Sequence, residues 1–191
     1  KLYNSFMDGT KLAVESCAVA TAVGLPPDTT GMHAPTAEIK DVPDLFRPND
    51  AGGILESTGV VDVVSTAYPD GSTTETGFPF GIFVVVRAPT ERVRRHLHLG
   101  IGGGDGVVTS SDGEYALFYR PYHLPGAETA VSVANAALDD QPTGTARERI
   151  AEVVAAAKRD LVCGETIDGG GGETVYGLVE RADTAEADGH V

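Results

Sequence analysis

Gly81-Ile-Phe-Val-Val-Val-Arg-Ala-Pro-Thr90-Glu-Arg-Val-Arg-Arg-His-Leu-His-Leu99 changes character at its middle. Gly81–Val86 is an unbroken apolar run, rich in the β-branched and aromatic side chains that suit a strand. From Thr90 to Leu99 the pattern predicts a short helix, made basic by Arg92, Arg94, Arg95, His96 and His98. Upstream, Val60–Ala67 is β-branched and alternating, and Pro69–Asp70–Gly71 reads as a turn, so this run is expected to pair with Gly81–Val86. Downstream, Glu114–Tyr119 is expected to pair with Val107–Ser110 across Ser111–Asp112–Gly113, and Gly126–Leu138 reads as an amphipathic helix with Ala127, Val131, Ala134 and Leu138 on one side. Strands joined by tight turns, with helices beside them, predict an α+β fold: helices packed on a mostly antiparallel sheet.

The flanks extend this frame. Ser5–Leu25 reads as the clearest helix, capped by Asp8 and stopped by Gly24 before Pro26–Pro27, with Ala13, Cys17, Ala20 and Gly24 at helical spacing and Leu12, Val19 and Val23 widening the stripe. Residues 26–53, rich in Pro, Gly, Asp and Thr, read as a long surface connection with one short element, of the kind that forms a functional loop or covers a partner. Pro142–Thr143–Gly144 marks a linker. Beyond it Ile150–Ala157 suits a strand or a helix, Asp160–Gly164 a turn and Thr174–Val179 a strand. A module boundary near residue 147 is therefore expected, dividing 1–147 from 148–191.

The 191 residues carry 28 acidic and 14 basic side chains, a net charge of −14, with ten Arg against only four Lys. That charge argues against nucleic acid and anionic membrane as partners, since both would be repelled. A lysine-poor, acid-rich surface suits concentrated salt, where screening relieves self-repulsion. Cys17 and Cys163 form no CxxC pair or disulfide framework, which fits a reducing, cytoplasmic compartment, and no run of 18 apolar residues spans a membrane. The chain begins at Lys1 and reads as part of something longer.

Two constellations offer chemistry. Asn4, Asp8, Lys11 and Glu15 are spaced +4, +3, +4, which puts all four on one face of a continuous helix. A lysine between carboxylates suits acid–base work, because its ammonium can donate to a carbonyl oxygen as negative charge builds there. The same spacing also describes an ordinary solvated helix face with an i, i+4 pair. Tyr119-Arg-Pro-Tyr-His-Leu124 joins a strand end to a helix start. There Arg120 can hold a carboxylate or phosphate, His123 can exchange a proton near neutral pH, and the next helix N-terminus favours an anion; packing of Tyr119 and Tyr122 and a backbone-bonded His123 explain the string equally well. The run Gly100–Gly106 does not match GxGxxG and follows a predicted helix, so it reads as a loop. Glu165, Asp168 and Glu173 near Cys163 lack metal-ligand spacing, which leaves any metal site unknown.

Asn4-Ser-Phe-Met-Asp-Gly-Thr-Lys11-Leu-Ala-Val-Glu15, Tyr119–Leu124 with Glu128, Ala157-Lys-Arg-Asp-Leu161 with Gly164-Glu-Thr, and Gly172-Glu-Thr-Val-Tyr-Gly177 together resemble one family. It is that of the predicted homoserine-dehydrogenase-like NAD(P)-dependent oxidoreductases, which includes the deoxyxylulose-phosphate reductoisomerase-like enzymes. The resemblance runs in order through nearly the whole chain. It implies a nucleotide-binding Rossmann domain upstream, a central catalytic domain, and the start of a β-rich SAF-like module. It also implies a small-molecule alcohol or carbonyl substrate, an NAD(P) cofactor held mainly outside this chain, and a homo-oligomer. Catalysis would fall to Lys11, Asp8 and His123, and substrate binding to Asn4, Glu15, Arg120, Tyr122 and Glu128. Two other readings stand beside it: a non-catalytic carbohydrate-like ligand-binding or oligomerisation module, and a metal-assisted enzyme in which Asp8, Glu15 and Glu128 converge.

Overall fold

A single glycine divides the expected N-terminal helix. Gly9 takes φ 81°, a left-handed conformation open to a residue without Cβ, and Asp8 turns its Oδ1 back to accept from the Thr10 N–H at 3.0 Å. In the computed structural model, which describes residues 2–77, 80–99, 107–146 and 148–190, the elements in chain order are α1 (Leu2–Met7), α2 (Thr10–Val23), α3 (Val42–Leu45), β1 (Ile82–Arg87), α4 (Glu91–His98), β2 (Val107–Thr109), β3 (Tyr115–Arg120), α5 (Pro125–Asp139), β4 (Ala151–Ala157), β5 (Val175–Arg181) and α6 (Ala182–Ala187). The expected loop Gly100–Gly106 lies outside the described residues. Helices and antiparallel sheets make the fold α+β. Two units form, one from 1–33, 59–63 and 144–191, the other from 34–58 and 64–143.

In the first unit β4 and β5 pair antiparallel from Ala151↔Arg181 to Ala157↔Val175, and α2 packs on them. Ala13, Ala20, Met32, Ala151 and Val179 form the buried cluster, with Cys17, Val61, Val63 and Val153 against it. Small residues on this helix face let its backbone come close to the sheet. Gly177 completes the fit: a Cβ there would stand 3.2 Å from Thr10 Cγ2 and 3.0 Å from Val153 Cγ1. α2 ends as the sequence indicates, with the Gly24 N–H donating to Ala20 O at 2.8 Å. Its stripe is narrower than expected, because Leu12, Val19 and Val23 stay exposed above a ribbon only two strands wide.

In the second unit the strand order is β1-β3-β2, all antiparallel, with Val85 opposite Leu117 and Leu117 opposite Val108. Leu117 is fully buried and Tyr115 nearly so; Phe83 meets Phe46 with ring centroids 5.3 Å apart. The opposite face exposes Ile82, Val84, Val86 and Phe118. The hairpin of β2 and β3 is the expected one, but the partner of β1 is not. Val60–Ala67 forms only isolated bridges, Val61 to Pro27, Ser65 to Thr36 and Ala67 to Thr73. The Pro69–Asp70–Gly71 turn is too tight to reach Gly81: Tyr68 N donates to Ser72 O at 2.8 Å and Asp70 Oδ1 accepts from Ser72 N at 2.9 Å, closing the loop after one bridge.

Residues 26–53 are more structured than a surface connection. Val42 and Phe46 are buried, and Arg47 reaches Asp44 at 3.3 Å and Asp112 at 2.7 Å beneath the turn between β2 and β3. α5 forms as expected but buries none of its residues; Val131 and Leu138 are exposed. Among the described residues no helix is long and apolar enough to cross a membrane. In α4 the Thr90 hydroxyl accepts from the Val93 N–H at 3.3 Å. Thr90→Ala is expected to cost about 1 kcal/mol in a denaturant titration. An unchanged midpoint would show instead that the Arg94–Glu114 pair, at 2.8 Å, holds the helix alone.

Candidate active site

Both oxygens of Asp8 are committed at the α1–α2 junction. Oδ1 takes the Thr10 N–H; Oδ2 accepts from the Lys158 ammonium at 2.6 Å and from the Gly171 N–H at 3.2 Å. Lys158, just past β4, also donates to Gly172 O at 2.7 Å. The side chains are 13% and 25% exposed, so the pair is mostly shielded from water. The Lys158 bond first, and then the bonds from Thr10, hold the Asp8 carboxyl well below the usual carboxylate range. Beside them Gly177 N donates to Thr10 Oγ1 at 3.0 Å. Three of the four quoted strings therefore meet at one place in the first unit. Sequence reasoning did not single out Lys158; its signals were the Ala157–Leu161 string and the scarcity of lysine.

Lys11 lies one residue further along α2. Its Nζ is 3.8 Å from Glu15 Oε1 and 4.1 Å from the centre of the Phe6 ring, and its side chain is 41% exposed. Because the helix breaks at Gly9, Asn4 belongs to α1 while Lys11 and Glu15 belong to α2; no continuous face carries all four residues. Asn4 O accepts from the Asp8 N–H at 2.9 Å, which fixes the turn. The first unit thus presents one accessible ammonium, Lys11, and a second that is pinned, Lys158.

Arg120, Tyr122, His123 and Glu128 gather in the second unit, between β3 and α5. Arg120 pairs with Glu128 and its guanidinium lies 4.9 Å from the centre of the Tyr122 ring. Glu128 Oε2 also accepts from the Leu124 N–H at 3.1 Å. That backbone bond, then Arg120, lowers the Glu128 carboxyl, while Glu128 raises the Arg120 guanidinium. His123 Nδ1 donates to Phe80 O at 2.6 Å, which leaves Nε2 as the acceptor of this tautomer. Arg120 would have to exchange Glu128 to take a substrate anion.

The carboxylates weighed for metal have other partners. Asp168 accepts from Glu173 N at 2.8 Å and from Thr174, and Glu165 pairs with Arg159. Asp8 and Glu15 face lysines in the first unit, and Glu128 faces an arginine in the second. Among the described residues one group brings ligand-type atoms together, Glu180, Asp188 and His190, and there His190 Nδ1 already lies 2.8 Å from Glu180 Oε2.

Residues 1–129 match the model described as oxidoreductase DRL, catalytic domain, and the chain belongs to that family. No curated protein matches the chain.

Proposed function

We propose that this chain is the catalytic part of a homoserine-dehydrogenase-like, NAD(P)-dependent oxidoreductase that interconverts a small polar alcohol and its carbonyl compound. The single observation that carries this reading is the accessible Lys11 ammonium three residues after Asp8, which is itself paired with Lys158, in a chain of the DRL oxidoreductase family. A bound nicotinamide supplies or accepts the hydride. Toward that chemistry the donor set here fits, because hydride transfer to a carbonyl needs a cation and a proton at the oxygen. Lys11 polarises that oxygen and donates a hydrogen bond to it as charge develops, and Glu15 holds the ammonium in place. Asp8, through Lys158 and the backbone of Thr10 and Gly171, fixes the turn that sets Lys11 and Asn4. Asn4 and Glu15 contact polar groups of the substrate. Within the second unit, taken by itself, Arg120 with Tyr122 and Glu128 offers a place for an anionic group, and His123 Nε2 can exchange a proton with water.

The wider reading places a SAF-like module in the stretch after residue 147, which shares its core with residues 1–33, and adds a Rossmann domain elsewhere in the protein and a cytoplasmic, salt-adapted homo-oligomer. The exposed apolar row Ile82, Val84, Val86 and Phe118 supports assembly with a second copy, whose identical row is equally uncharged. In the full-length protein Lys11→Ala is expected to lower kcat by about 100- to 10,000-fold, with the melting temperature kept. Turnover within threefold of the parent would remove Lys11 from the mechanism.

A further inference from the structure

His33 is held in a way that the site described so far does not use. Its Nδ1 lies 2.6 Å from Asp62 Oδ2, and its backbone N–H reaches Asp62 Oδ1 and Oδ2 at 3.1 and 3.3 Å. Its Nε2 stands 3.9 Å from Asp28 Oδ2. Both carboxylates are buried, at 4% and 1% exposure, while the imidazole is 23% exposed. Asp62 is an acceptor at the Nδ1 side, so it selects the tautomer with hydrogen on Nδ1 and leaves Nε2 as a base. Two buried carboxylates then flank the ring and balance the charge that Nε2 gains on taking a proton. The segment carrying the ring is costly to build: Gly31, Met32 and Ala34 all have positive φ, of 79°, 64° and 47°.

The position matters as much as the ring. Gly31 N donates to Val179 O at 2.7 Å, and Gly177 N donates to Thr10 Oγ1 at 3.0 Å. The His33 segment and the start of α2 are therefore anchored two residues apart on β5, roughly 7 Å along the strand. Lys11 follows the second anchor directly.

We propose that His33, oriented by Asp62, is the group that takes the proton from the substrate hydroxyl during alcohol oxidation and returns it during carbonyl reduction. This assignment rests on the oxidoreductase reading above. In the oxidation the O–H bond breaks and its proton passes to His33 Nε2. The C–H bond breaks with its electron pair, which leaves as hydride to the oxidised nicotinamide, and the C=O bond forms. The substrate is oxidised, the nicotinamide is reduced, and His33 carries the one proton left over. Lys11 stabilises charge on the oxygen, and Asp62 and Asp28 are positioning residues.

The test separates a proton carrier from a structural clamp. Asparagine places an amide N–H where the Nδ1–H of histidine stands but offers nothing at Nε2. His33→Asn in the full-length protein is expected to keep the melting temperature within about 2 °C, lower kcat at least 100-fold with KM changed less than threefold, and regain activity with added imidazole. In nitrogen-15 spectra of the unmodified protein, the His33 Nδ1 proton is expected far downfield, and absent in Asp62→Asn. Turnover of His33→Asn within threefold of the parent overturns the proposal and leaves the oxidoreductase reading standing. So does an Nδ1 proton at an ordinary shift. If the parent protein turns over no polar alcohol with either nicotinamide cofactor, the oxidoreductase reading falls, and this proposal with it.

Discussion

Lys158→Met is expected to destabilise the protein by about 3 kcal/mol, because it leaves Asp8 shielded and without its ammonium. The substitution keeps an unbranched apolar stem and removes the terminal ammonium with its charge and donors. Gly172 O loses its partner too, and Oδ2 of Asp8 keeps only the Gly171 N–H. In a chain of this size the loss corresponds to a fall in melting temperature of about 6–12 °C. The pair also sets a pH dependence. Asp8 is lowered in the folded state, so its contribution is fully present above the ordinary value of 3.8 and is lost as pH falls below it toward the lowered folded value. Denaturation curves of the parent and of Lys158→Met are expected to converge as the pH is taken down through that range. Parallel curves would place the pair outside the stability of the fold.

Leu117→Ala is the second large effect. Leu117 is fully buried at the centre of β3, flanked by Val85 and Val108 on the neighbouring strands. Truncation removes buried methyl groups and leaves a cavity that a three-stranded sheet closes poorly, at a cost of about 3 kcal/mol. Phe118 is the next residue, and its ring is on the exposed face. Phe118→Ser is expected to change stability by under about 1 kcal/mol. Urea titration of the two variants reads the register directly; equal losses would mean that the strand is set one residue out.

What could be read from the sequence was local. Thr90 and the basic run after it make α4, Gly24 stops α2, and Ser111–Asp112–Gly113 closes β2 on β3, all within a few residues. The pairing of β1 was hidden, because a strand-like run does not name its partner: β3 lies beyond α4, whereas Val60–Ala67 was near and β-branched. One short element was expected within 26–53, but the place of α3 was hidden among Pro, Gly and Asp because its support is distant, Arg47 joining Asp44 to Asp112. The candidate site divides in the same way. Lys11 and Glu15 are an i, i+4 pair that spacing alone shows. Asp8 finds Lys158 at a separation of 150 residues, and His33 finds Asp62 across 29. Charge pairing over such separations leaves no periodic trace.

The link between Asp8 and Lys158 has a consequence for the order in which the molecule can be made. The first unit is closed by contacts between its opening 33 residues and the stretch from 144 onward, whereas the second is complete once residue 143 exists. A ribosome therefore releases everything needed for the β1-β3-β2 sheet while α2 still lacks the strands that cover it. Until β4 and β5 emerge, Ala13, Ala20 and Met32 have no ribbon to bury against. Closing so long a loop is slow because its entropy must be spent before the contacts reward it. During that interval the apolar face of the helix that carries Lys11 stays uncovered.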